Sequence, residues 1–293
     1  MTVLTRPEGS LPEDLHLSRR GLAGLVALGY AAAGVGADAA PITTSADGLT
    51  IETVTMAGGL PGYVARPAGN GRHPAVIVVN EIFGVHEWIK DICRRFAQAG
   101  YVAIAPSFFF RNDPGNSLAT STDYPAIMKI VAEAKNDQVM GDVGTTLDWL
   151  GKARFVAADR IAITGFCWGG SVVWMAAAKF PQLKAGGAWY GRIKGAPSNT
   201  ENRQYPIDIA ASLKAPVLGL YGALDKGIPV ADVEAMQAAL TAGKANPATA
   251  RSAIKLYPTS DHGFLADYRP SYNAVDGPDA WARLLAFFKA QGV

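Results

Sequence analysis

Residues 160–171 constrain this chain more than any other stretch, because they read as a strand that runs directly into a helix. Arg160-Ile161-Ala162-Ile163-Thr164 is a short isoleucine-rich run, the pattern of a buried strand. Gly165-Phe166-Cys167-Trp168-Gly169-Gly170 follows at once, and residues 172–179 have a helical composition. So tight a strand-to-helix turn forces the side chain at its apex outward, and glycines on either side remove the Cβ atoms that would collide there. Cys167 occupies that apex. The N-terminus of the following helix would face its sulfur and favour thiolate over thiol. A free cysteine is also commonly just a small buried apolar residue. The glycine frame argues against that simpler role, and Cys167 is a candidate nucleophile.

The rest of the chain supplies a sheet for this turn. Residues 51–56 and 60–66 alternate around Ala57-Gly58-Gly59 and predict an antiparallel hairpin. Residues 75–79 form a continuous apolar run, as expected of a central parallel strand. A helix over 86–98, a strand over 101–105 and a helix over 138–152 lead back to the elbow. Between them, residues 106–136 make a long excursion of weak periodicity. Strands over 184–190, 216–221 and 252–257 and helices over 230–242 and 278–290 complete the series. The alternation predicts an α/β fold in one domain over residues 41–293, with a mostly parallel sheet of about eight strands and helices on both faces.

In such sheets catalytic groups gather on the loops beyond the carboxyl ends of the strands. Gly222-Ala223-Leu224-Asp225 puts an acid just past the strand over 216–221, and Ser260-Asp261-His262-Gly263 puts a histidine past the strand over 252–257. Nucleophile, acid, base is the chain order of the α/β-hydrolase fold, which is the fold class expected here. His262 would take the thiol proton and later activate water, while Asp225 would fix the imidazole tautomer. Singly, Asp225 could be a turn residue and His262 a surface-loop histidine; order and placement make the set specific. Asp261 is a poorer acid, because adjacent side chains rarely orient one another's rings. The loop Asn80-Glu81-Ile82-Phe83-Gly84-Val85 is where this fold places its second oxyanion donor. The backbone N–H groups of Ile82 and Trp168 are therefore the expected pair. Glu81 beside them would repel a developing negative charge, so its presence needs a reason.

Composition removes other classes. A formal net charge of +2, without Lys/Arg runs interleaved with aromatics, argues against nucleic acid. Neither His-Glu-x-x-His nor paired Cys-x-x-Cys occurs, so no metal or other cofactor is expected. Cys93, the other cysteine, falls inside a predicted helix, which argues against a disulfide to the elbow. Residues 1–40 read as a separate segment. Ser18-Arg19-Arg20-Gly21-Leu22 precedes a Gly/Ala/Leu/Val stretch and then Ala37-Asp38-Ala39, a pattern of twin-arginine export with a small-x-small cleavage site. A periplasmic or exported location is expected, the alternative being a cytoplasmic protein with a retained N-terminal helix. The apolar stretch is too short and glycine-rich for stable membrane insertion.

With these segments in view, the chain resembles the dienelactone hydrolases (carboxymethylenebutenolidases). The shared segments are Asn80-Glu81-Ile82-Phe83-Gly84-Val85, Gly165-Phe166-Cys167-Trp168-Gly169-Gly170, Trp189-Tyr190-Gly191, Tyr221-Gly222-Ala223-Leu224-Asp225 and Asp261-His262-Gly263-Phe264. The resemblance spans roughly residues 51–293. It implies a triad of Cys167, His262 and Asp225, and hydrolysis of an enol-lactone through a thioester without metal or organic cofactor. It also implies that Glu81 bonds the thiol at rest and takes its proton when substrate arrives. Family members bind the substrate carboxylate with arginines, for which Arg111 and Arg269 are the candidates, and Tyr190 is a further substrate-side candidate. Read alone, either arginine is equally a solvated surface residue. A broader carboxylesterase acting on aryl, short-chain or polyester-type esters would use the same triad. A sensing thiol would need neither the Asp–His pair nor the oxyanion loop. The partner expected is a small-molecule ester or lactone.

Overall fold

Apolar, β-branched runs separated by Gly-, Pro- and Asp-rich turns form eight strands of one sheet: β1 (Leu49–Thr55), β2 (Pro61–Pro67), β3 (His73–Val79), β4 (Val102–Pro106), β5 (Val156–Phe166), β6 (Leu183–Trp189), β7 (Val217–Gly222) and β8 (Ala253–Tyr257). The structure is a computed structural model and describes residues 44–195 and 204–293. The sheet order is β1-β2-β4-β3-β5-β6-β7-β8. β1 and β2 are the expected antiparallel hairpin, β2 runs antiparallel to β4, and every pair from β4 onward is parallel. Ala75, Val76, Ile77, Val78 and Val79 of β3 are fully buried, as a parallel strand covered on both faces must be.

The helices are α1 (Glu87–Gln98), α2 (Tyr124–Glu133), α3 (Asn136–Lys152), α4 (Trp168–Lys179), α5 (Val230–Ala242), α6 (Pro247–Ala250) and α7 (Asp276–Ala290). α2 lies within residues 106–136, which the sequence reads as a long excursion of weak periodicity. Its start is built from Asp123, whose side chain accepts from the Ala126 amide, with a proline in the first turn. Only Ile127 and Val131 of this helix are buried, which explains its weak periodicity in the sequence. No helix among the described residues is long and apolar enough to cross a membrane. The segment read as a twin-arginine leader, residues 1–40, lies outside the described residues.

The chain passes from β3 to one side as β4 and returns on the other as β5, so the carboxyl ends of β3 and β5 flank a topological switch point. Val79 of β3 stands in register with Gly165 of β5. Glu81 and Cys167 therefore lie equal distances beyond a matched pair on adjacent strands. That register is what brings the two loops together.

Candidate active site

The site is built on the elbow. β5 ends at Phe166 and α4 starts at Trp168, leaving Cys167 alone between them. Its backbone is at φ 55° and ψ −115°, a left-handed conformation that an L-residue holds only at a cost of order 1–3 kcal/mol. The conformation is enforced by close main-chain contact. A Cβ on Gly165 would meet the Gly169 carbonyl oxygen at 2.4 Å, and one on Gly170 would meet the Trp189 carbonyl oxygen at the same distance. The Cys167 amide donates to the Trp189 carbonyl at 3.0 Å, which ties the apex to β6. Cys167 itself is 7% exposed.

Asp225 and His262 arrive from the ends of β7 and β8. His262 Nδ1 lies 2.7 Å from Asp225 Oδ2. Asp225 is oriented by its other oxygen, which accepts from the amides of Gly227 (2.8 Å) and Ile228 (3.2 Å). Asp261 is occupied differently: its Oδ1 takes the His262 backbone amide at 2.6 Å, leaving the ring to Asp225. Burial works against charge on His262, but the Asp225 carboxylate and then the Cys167 side chain outweigh it, raising the imidazole pKa to about 10. The three residues expected to act together are thus brought together.

Trp168 begins α4, so its N–H has no intrahelical acceptor. The Ile82 amide donates to no backbone carbonyl among the described residues. Both remain available as oxyanion donors. The Trp168 ring packs against Phe109 (4.9 Å between centroids) and Phe108 (5.9 Å), forming an apolar wall next to Cys167 in the chain.

Glu81 has a different set of neighbours from those expected. It is fully buried, and Oε1 accepts from Arg269 Nη2 at 2.9 Å. Oε2 accepts from the Tyr268 hydroxyl at 2.8 Å and lies 3.2 Å from His86 Nε2. No hydrogen bond among the described residues joins Glu81 to the thiol. Burial alone would raise its carboxyl pKa, but Arg269 first, then His86 and Tyr268, hold it down at about 2. At rest its carboxylate is thus paired with Arg269, Tyr268 and His86 rather than with the thiol.

Arg269 is 3% exposed, so it is not a solvated surface arginine, and Glu81 takes its guanidinium. Arg111 is not brought to this cluster. Both of its terminal nitrogens are held by Asp142 of α3, each at 2.8 Å. Tyr190, directly after β6, is fully buried at φ 35°, with its ring 5.0 Å from the His262 ring. Its hydroxyl has no hydrogen-bond partner among the described residues, and burial, followed by Glu81, keeps it firmly protonated. Tyr268 and the contact of His86 with Glu81 had no signal in the sequence. Tyr268 lies 187 positions from Glu81, and His86 reads only as the start of a helix.

Residues 60–292 match the dienelactone hydrolase family. A protein of Escherichia coli (strain K12) named "Putative carboxymethylenebutenolidase" is 47% identical over 235 residues, covering 80% of this chain and 83% of that protein. One of the same name from Methylorubrum extorquens is 42% identical over 300 aligned positions and covers both chains fully. The crystal structure titled "Putative Dienelactone Hydrolase" from Klebsiella pneumoniae superposes with a TM-score of 0.74 at 44% identity, covering 82% of this chain and 98% of that one. By the extent of these matches the chain belongs to the dienelactone hydrolase family, with the α/β-hydrolase fold.

Proposed function

We propose that this hydrolase cleaves a carboxylic ester or enol-lactone through a thioester on Cys167. The observation that carries the reading is the cysteine at φ 55° beside a histidine whose Nδ1 is fixed by Asp225 at 2.7 Å. With Nδ1 donating to the carboxylate, Nε2 is the basic nitrogen and takes the thiol proton. A His262 pKa raised to about 10 makes the ring a strong base toward that proton. The sulfur adds to the carbonyl carbon, and the N–H groups of Ile82 and Trp168 donate to the oxygen as it gains charge. Collapse expels an alkoxide or enolate, which takes its proton from His262. Water then gives a proton to His262 and attacks the thioester, releasing the acid and the Cys167 thiolate.

Glu81 enters this cycle through Arg269. Held at about 2, its carboxylate is a poor base in the resting arrangement. Where a substrate carboxylate draws Arg269 away, Oε1 is freed and its basicity rises; on that route Glu81 takes the thiol proton in place of His262, which already holds its own proton and pairs with the thiolate. A second reading has its own observation: both candidate arginines are already engaged, Arg269 by Glu81 and Arg111 by Asp142. With these two arginines engaged, a broader esterase acting on neutral esters also fits.

A hydrolysis panel tests these readings, comparing enol-lactones with and without a carboxylate against short-chain aryl esters, for wild type and Cys167→Ala. A preference for the carboxylate-bearing lactone supports the first reading, and a preference for neutral aryl esters the second. Undiminished turnover by Cys167→Ala refutes the thioester for both.

A further inference from the structure

Glu81 is gripped from two elements, and those elements are tied to each other. One grip is His86, the N-cap of α1. The other is the turn after β8, which carries Tyr268 and Arg269. Arg95, in the last turn of α1, joins the two. Its Nε donates to Asp91 one helical turn earlier at 2.7 Å, and its Nη2 donates to Asp267, the residue immediately before Tyr268.

The two carboxylates it bridges are unequal. Asp91 is anchored on other sides as well, by Arg94 Nη2 at 3.1 Å and by the Thr44 amide. Asp267 is 7% exposed, and its Oδ1 has no hydrogen-bond partner among the described residues. A buried carboxylate that loses its cation must protonate or move, because an uncompensated charge is costly there. The turn carrying Asp267 is stiff: Ala266 donates to the Gly263 carbonyl and Arg269 to the Ala266 carbonyl, both at 2.8 Å. A shift at Asp267 therefore passes to the next two residues.

We infer that Arg95 is a positioning residue for the active site: through Asp267 it sets where Tyr268 and Arg269 stand, and so holds Glu81 as an anion beside Cys167. The inference rests on the thioester reading for the part that Glu81 plays in turnover. The groups facing Glu81 are Arg269 and Tyr268 from the turn, His86 from α1 and Tyr190 after β6. Arg269 is the main source of the attraction that overcomes burial. Displacing it leaves burial to push the carboxyl up, past its ordinary 4.5. Below that higher pKa Glu81 is protonated and cannot accept the thiol proton.

The test is kcat/KM for a carboxylate-bearing enol-lactone against pH, with wild type, Arg95→Met, Arg95→Lys, Asp267→Asn and the Arg95→Met/Asp267→Asn double variant. Arg95→Met and Asp267→Asn are expected to lower kcat/KM by on the order of 10- to 100-fold, the scale of a small misplacement in a catalytic site. Their acid limbs should lie higher than that of wild type, Arg95→Lys should fall between, and the double variant should be no worse than the worse single. In a Glu81→Gln background, adding Arg95→Met should change kcat/KM by less than about twofold, since nothing is left to hold. A lowered Tm with an unmoved acid limb overturns the inference, as does an equal loss in the Glu81→Gln background. If Arg95→Met does not fold, Asp267→Asn and Arg95→Lys carry the same test. Failure of the thioester reading shows separately, as turnover retained by Cys167→Ala.

Discussion

The most informative perturbation of the triad is Asp225→Asn, because the structure fixes which way the amide must point. Asp225 Oδ1 accepts two backbone N–H groups, from Gly227 and Ile228, while Oδ2 meets His262 Nδ1. An asparagine that turned its NH2 toward those amides would strand two donors, at about 1–3 kcal/mol each. The amide oxygen therefore stays where Oδ1 was, and the NH2 faces the ring. Nδ1 must then accept, which moves the imidazole proton to Nε2, toward the sulfur. A ring in that tautomer cannot take the thiol proton, and kcat/KM should fall on the order of 10⁴-fold, as when other triads lose this carboxylate. The same change removes the main force raising the His262 pKa to about 10 and lets it fall toward 6.5 or below. A histidine whose folded pKa is raised adds stability that is fully present below about 6.5 and lost as pH rises through about 10. The Tm gap between wild type and Asp225→Asn should accordingly shrink as pH is raised from 7 toward 10. Iodoacetamide labelling of Cys167 near pH 7 should slow in parallel. Turnover within about tenfold of wild type, a barrier change of only about 1.4 kcal/mol, would refute the tautomer argument. So would a Tm gap that does not depend on pH.

Four further outcomes follow from the same geometry. Cys167→Ala should abolish turnover with Tm retained, and in the wild type iodoacetamide should modify Cys167 well before Cys93, whose thiol burial pushes far up; equal labelling contradicts this. Glu81→Gln should slow the pre-steady-state acylation burst more than thioester hydrolysis, and equal loss in both steps would reduce Glu81 to a loop holder. Gly170→Ala forces a Cβ within 2.4 Å of the Trp189 carbonyl oxygen, so it should cost about 3 kcal/mol or more and lower Tm by roughly 10 °C, read by thermal unfolding. For residues 1–40, replacing Arg19 and Arg20 by lysine should leave the precursor in the cytoplasm if they form an export signal, while intact Met1 on exported protein would count against cleavage near Ala40.

What could be read from the sequence was whatever its local pattern determines. The run through Thr164 and its glycines dictates a strand, a sharp turn and a helix without reference to distant parts. The places of Glu81, Asp225 and His262 follow because each lies just past a recognisable strand, and a parallel sheet collects those ends on one edge. Partners were another matter. Arg269 and Glu81 are 188 positions apart, and nothing near either announces the other. Arg111 looked as suitable as Arg269 for an anionic substrate until packing set Asp142 of α3 against it. α2 rests lightly on the core, and its two buried residues give too little periodicity to mark a helix in the sequence.

The glycine contacts at the elbow divide the site into a part open to change and a part closed to it. Gly165 and Gly170 touch main-chain atoms of Gly169 and Trp189, and Gly191 touches those of Gly170 and Ser171. Main-chain atoms cannot be trimmed by mutation, so no second-site change elsewhere makes room for a side chain at these positions. The height of the apex above the sheet is consequently invariant across any sequence that keeps this fold. The atom carried at that apex is not so bound, since exchanging sulfur for oxygen or hydrogen leaves the backbone contacts untouched. A library randomised at 165, 170 and 191 should return glycine almost alone when selected for folding. One randomised at 167 should return several small residues for folding and cysteine for turnover. Chemical identity can drift at this elbow, whereas its architecture cannot.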